Sequence, residues 1–202
     1  HFLDWPLQDL SFDVAVHLGS LTAVILYFRE DLTNMTGAWF NHVLKGKSSD
    51  DSKLAWWLIW ATLPAVFMGY FGKSLVEMYA RSGLVIAFTT IVFGLLLWWS
   101  DRVAKQKKAL NKLGWRGAVF IGMFQVLALI PGTSRSGITI TAGLLLGLSR
   151  ETAARFSFLL SIPVILGAST LLFVELLGSP NGVNWQTLIA VSYTHLTLPT
   201  RS

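Results

Sequence analysis

The sequence has no cysteine and very little charge. Without cysteine there are no disulfides and no thiolate metal sites. Asp, Glu, Lys and Arg make up 13% of the chain, about half the share of a soluble domain. The few charges are clustered, and long uncharged runs lie between the clusters. A bilayer imposes that arrangement, because an isolated charge in hydrocarbon costs several kcal/mol. Metal-ligand spacing, a Gly-rich dinucleotide fingerprint and a P-loop are also missing, which removes the usual signals of nucleotide chemistry. What is present is apolar: 53% of the 202 residues are hydrophobic, with nine Trp and thirteen Phe. The net charge of +5 comes without a groove-reading motif. Its basic residues lie mainly between apolar runs, so orientation in a membrane explains them better than nucleic-acid binding.

Four runs are long enough to span: 12–28, 54–72, 83–99 and 156–177. Arg29, Glu30 and Asp31 stop the first, and Trp residues mark the edges of the second and third, as the headgroup region favours. Pro64 and Pro163 lie inside spans, where a membrane helix tolerates a kink. Residues 117–130 and 138–148 are apolar but short of the roughly 20 residues a crossing needs. Two short halves around a Gly/Pro break predict a re-entrant helical hairpin.

Loop charges agree with this layout. Arg29, Lys45, Lys47 and Lys53 fall in loop 29–53, and six basic residues fall in loop 101–116. Loop 73–82 holds only Lys73 and Arg81, and 178–186 holds none. The positive-inside rule puts 29–53 and 101–116 in the cytoplasm. The alternation stays consistent if 117–148 enters and returns on the cytoplasmic side, and fails if 117–130 crosses fully and 138–148 does not.

The tip of that hairpin, Pro131-Gly132-Thr133-Ser134-Arg135-Ser136-Gly137, has the chemistry of a phosphate site. Gly132 and Gly137 permit positive φ and close backbone approach. Successive N–H groups can form an anion nest. Ser134 or Ser136 can cap a helix starting near residue 138, whose N-terminus adds partial positive charge. Arg135 adds a full charge and a planar fork, while Thr133, Ser134 and Ser136 offer hydroxyls. The plain alternative is a surface turn with Arg135 in water. An arginine at membrane depth argues for function instead.

Other features are weaker. Gln125, within the apolar half before the loop, either bonds backbone across the hairpin or faces the pocket. Gly143 and Gly147 suit close helix packing. His17 reads as an interior histidine before a catalytic one, and Asp13, one turn earlier, as its partner or a first-turn acid. Glu175 is expected to snorkel to the interface. Residues 1–191 read as one transmembrane domain truncated at both ends. The polar, Thr-rich stretch 192–202 reads as a foreign tail, which removes His195 from consideration.

From Phe124 to Gly137 the sequence resembles the bacitracin-resistance family of undecaprenyl-diphosphate phosphatases. The stretch Phe12–Ser20, Leu63-Pro64-Ala65 with Gly69, and Gly147-Leu148-Ser149-Arg150 with Phe156–Pro163 are similar too. The resemblance covers about 12–191. It implies an all-α, polytopic fold of inverted-repeat type with re-entrant hairpins, in the bacterial inner membrane, with its pocket toward the outer face. It implies hydrolysis of undecaprenyl diphosphate to the monophosphate, which recycles the carrier lipid of peptidoglycan synthesis and confers bacitracin resistance. Arg135, Ser134 and Ser136 are then the expected catalytic residues, and Gly132, Thr133, Gly137 and Gln125 the expected substrate contacts. Expected partners are the polyprenyl diphosphate and the bilayer, with room for a homodimer. A divalent cation, magnesium or calcium, is expected as cofactor. Its ligands and the nucleophile belong to an N-terminal motif with two glutamates, serines and a histidine, which this sequence does not show before its first helix. His1 is not assigned a role in it. Broken helices aimed at an anion also suit a transporter or flippase of a phosphorylated polyprenyl lipid.

Overall fold

The computed structural model describes residues 10–71, 83–104 and 108–177. Expectations for His1, Lys73, Arg81, Lys105, Lys107 and residues 178–202, His195 included, lie outside these. So do those for the side chains of Asp13, His17 and Glu175. The described residues are helical, and their one extended pairing is an isolated bridge between Lys108 and Leu148.

Helix α1 (Leu10–Tyr27) carries the first apolar run. Residues 29–53, expected to be a loop, instead form helix α2 (Arg29–Lys45) and the start of α3 (Asp50–Phe71). Local electrostatics explain the difference. Glu30 and Asp31 stand in the first turn of α2, and His42 and Lys45 in its last, each complementing the helix dipole. Gly46, at φ 68°, ends the helix. Ser49 and Ser52 then cap α3 reciprocally: the Ser52 N–H donates to Ser49 Oγ (3.2 Å), and the Ser49 N–H to Ser52 Oγ (2.9 Å). This is a capping box with serine in the usual glutamate position. Pro64 remains inside α3.

Helix α4 (Gly83–Val103) is followed by a short 3-10 turn, Leu110–Lys112. Helix α5 (Gly114–Val126) and a second 3-10 turn (Leu127–Leu129) carry the chain to the loop. Helix α6 (Arg135–Leu145) returns, and α7 (Arg150–Leu177) follows with Pro163 inside it. Among the described residues, three helices are long and apolar enough to cross a bilayer: Asp50–Phe71, Gly83–Val103 and Arg150–Thr170. They answer to three of the four expected spans.

The chain divides into two compact units. One joins His1–Arg29 to Val164–Ser202, and the other is Glu30–Pro163. The second contains the hairpin.

The hairpin is antiparallel. A Cβ on Gly117, near the start of α5, would lie 3.4 Å from Leu146, just past the end of α6. Its two ends are stitched together: Lys108 N–H donates to Gly147 O (3.0 Å), and Ser149 N–H to Lys108 O (3.3 Å). The chain therefore enters and leaves at one level, as a re-entrant segment must. The exit is a full Schellman motif. Gly147 N–H reaches Leu144 O (2.8 Å), Leu148 N–H reaches Gly143 O (3.1 Å), and Gly147 takes φ 86°. Gly147 thus serves the turn and not helix packing. Gly143 does pack: an added Cβ would sit 2.9 Å from Ala153 Cβ of α7.

Ion pairs close the same level. Arg150 grips Asp101 through both its Nε (2.6 Å) and Nη2 (2.8 Å), and Arg155 bonds Asp31 at 2.6 Å. The end of α4 and the start of α2 are thereby each tied to the start of α7.

The other contact surface of α5 is α3. The buried residues Gly117, Ala118, Ile121, Gly122 and Gln125 form one stripe. At its centre Gly122 lies so close to Ala61 that a Cβ would collide with the Ala61 backbone. Only glycine permits that approach.

Candidate functional site

Pro131 and Gly132 occupy the two central positions of a turn closed by Thr133 N–H donating to Ile130 O (3.1 Å). Gly132 has φ 89°. Proline first and a positive-φ glycine second define a type II turn. Gly132 is fixed twice over, because a Cβ there would also collide with Ile86 O and Thr89 Oγ1 of α4.

The turn leads directly into α6, which starts at Arg135 and not near 138. Ser134 is the cap, in extended conformation (φ −70°, ψ 120°), and its Oγ accepts from Gly137 N–H at 3.2 Å. Of the two candidate serines Ser134 therefore caps, and Ser136 joins the first turn with its Oγ 3.4 Å from that of Ser134. Gly137 is helical. Its value is not positive φ but space, since a Cβ would sit 3.1 Å from Ser134 Cβ.

First-turn N–H groups have no partner within a helix. Ser134 satisfies that of Gly137, which leaves the N–H groups of Arg135 and Ser136 at the helix mouth. The Arg135 side chain is half-buried and has no ion pair or hydrogen bond among the described residues. By contrast Arg150 and Arg155 are both paired. Thr133 Oγ1 is buried there without a partner. The loop thus gathers Gly132, Thr133, Ser134, Arg135, Ser136 and Gly137 as one donor-rich, cationic mouth.

Gln125 sits differently. It is 2% exposed and continues the stripe that faces α3, and neither its Oε1 nor its Nε2 has a partner among the described residues. A buried amide left unmet costs about 1–3 kcal/mol.

Sequence reasoning missed three residues. Thr89 Oγ1 donates to Pro131 O at 2.7 Å, and Thr90 Oγ1 lies 3.0 Å from Gly132 O. These threonines sit in an apolar helix far from the loop in sequence, and no local pattern marks them. Thr139, one turn into α6, bonds Ser157 of α7 at 2.7 Å, with both side chains buried. Its spacing of four from Arg135 was the available signal.

The α4 contacts fix the depth of the mouth. With a rise of about 1.5 Å per residue, Thr89 is about 9 Å from the start of α4 and about 18 Å from Asp101 at its charged end. The mouth is within the apolar span, nearer the end away from the ion pairs.

No group of three His, Cys, Asp or Glu able to hold a metal occurs among the described residues. The mouth offers hydroxyls, amides and a guanidinium, with no carboxylate among the described residues. That donor set fits an anion and does not by itself fit a divalent cation.

The sequence pattern of the family described as Bacitracin resistance protein BacA matches residues 1–197. The chain belongs to this family. A BacA family member is a membrane protein of a phosphatase family, so its reaction class is hydrolysis at phosphorus.

Proposed function

We propose that this protein hydrolyses undecaprenyl diphosphate, with the 131–137 loop holding the diphosphate. Water adds to the terminal phosphorus and the bridging P–O bond breaks. The products are undecaprenyl phosphate and inorganic phosphate. The observation that carries the reading is the unpaired Arg135 side chain in the first turn of a capped helix. A cation at membrane depth with no described carboxylate beside it is costly unless an anionic ligand meets it.

Phosphoryl transfer spreads charge over the equatorial oxygens, and the protein acts by positioning and charge neutralisation. Arg135 offers its fork to the terminal phosphate. The N–H groups of Arg135 and Ser136 and the Ser136 hydroxyl offer neutral donors beside it. Thr133 Oγ1, otherwise without a partner, adds one more. Ser134 acts chiefly as the cap, and no described carboxylate or imidazole bonds it, so it is assigned no nucleophilic role. A divalent cation belongs to this reading, with carboxylate ligands from outside the mouth.

Sidedness follows from the positive-inside rule. The charged end of α4 and the hairpin base carry Arg102, Lys108, Lys112 and Arg116. With that level on the cytoplasmic side of a bacterial inner membrane, the mouth lies in the outer half. The lipid tail would lie along the apolar flank. Nothing in this reading requires a second copy of the chain.

The test is turnover by the purified full-length protein. Release of inorganic phosphate from undecaprenyl diphosphate supports the reading. Well-folded protein that releases none, yet moves the lipid across vesicle bilayers, overturns it in favour of transport.

A further inference from the structure

We propose that Thr89 and Thr90 of α4 are positioning residues for the reaction, clamping the loop so that its N–H groups face the substrate; this rests on the phosphatase reading above.

Threonines in membrane helices commonly bond back to their own helix, and both do so here. Thr89 Oγ1 has Val85 O at 2.8 Å, Ile86 O at 3.1 Å and Pro131 O at 2.7 Å. One hydroxyl proton serves three acceptors. All three are carbonyl oxygens, so the hydroxyl proton is shared among them, and the cross-element contact to Pro131 O is the shortest. Thr90 Oγ1 has Ile86 O at 2.7 Å and Gly132 O at 3.0 Å, and supports the clamp as its weaker half.

The consequence lies on the opposite edge of the peptide. In a trans peptide the C=O and the following N–H point opposite ways, and no described peptide is cis. Pinning Pro131 O onto α4 therefore turns the Gly132 N–H away from α4. The absent Cβ of Gly132 lets the turn sit hard against Ile86 O. Helix α4 is the anvil that sets the loop's direction as well as its depth.

Conservative pairs test this in the full-length enzyme. Thr→Val keeps the shape and removes the hydroxyl, and Thr→Ser keeps the hydroxyl. In Thr89→Val/Thr90→Val we expect kcat to fall at least about tenfold. KM should change less than about threefold, because Arg135 still attracts the charge while alignment in the transition state is lost. Thr89→Ser/Thr90→Ser should keep kcat within about threefold, with all variants melting alike. If the double valine variant does not fold, Thr89→Val alone carries the test, with the same loss expected. Wild-type kcat in the valine variant, with Arg135→Ala inactive, overturns the clamp alone. An active Arg135→Ala enzyme overturns the phosphatase site and the clamp with it.

Discussion

The Thr89 hydroxyl meets the Pro131 carbonyl at 2.7 Å across 42 residues of sequence. That bond joins an apolar helix long enough to span a bilayer to the tip of the α5–α6 hairpin. It fixes the level along α4 at which Arg135 is presented.

Gly132→Ala should remove activity. The substitution strains the backbone, because φ 89° is a region that side chains rarely adopt. It also drives a Cβ into Ile86 O and Thr89 Oγ1. The loop must lift off α4, and kcat/KM should fall about 10²-fold or more, the scale of a misplaced site. Circular dichroism should stay helical. An active Gly132→Ala enzyme would mean that the tip does not need its seat.

Gln125→Leu separates two roles for a buried amide. A residue that only packs should tolerate leucine, since the unmet Oε1 and Nε2 are removed and thermal stability holds or rises. Its position in the stripe facing α3 favours that outcome, with turnover within about threefold of wild type. A loss of turnover in stable protein would instead return Gln125 to the substrate contacts.

Gly122→Ala should weaken the α3–α5 contact. Its Cβ would collide with the Ala61 backbone, and overpacking of this kind costs about 1–3 kcal/mol. A lower melting midpoint in detergent is the expected result, with larger effects for Gly122→Val.

Much of this was legible in the sequence, and the reasons differ by element. The hairpin could be read because hydrocarbon thickness sets a length that 117–130 and 138–148 do not reach. The loop chemistry could be read because Pro-Gly, the serines and Arg135 are adjacent. Helix α2 was hidden, because its charges look like a loop until Glu30, Asp31, His42 and Lys45 are matched to the two ends of a helix dipole. Thr89 and Thr90 were hidden for another reason. Their partners are set by packing between elements, which leaves no periodic trace. Gly137 was expected to turn the chain, yet it makes room for the cap instead.

Sidedness can be probed cleanly, since the 202 residues contain no cysteine. Ser134 is exposed at the mouth. In intact spheroplasts, Ser134→Cys should react with a membrane-impermeant thiol reagent from outside, and Arg116→Cys only after lysis. The reverse pattern would place the mouth on the cytoplasmic side.

The most direct test of the diphosphate site is a charge series at Arg135, read as phosphate release from undecaprenyl diphosphate by full-length protein. Arg135→Ala should lower kcat/KM by about 10²–10³. Arg135→Lys should recover only part of the loss, because it keeps the charge without the bidentate fork. Turnover in Arg135→Ala equal to wild type would contradict the account.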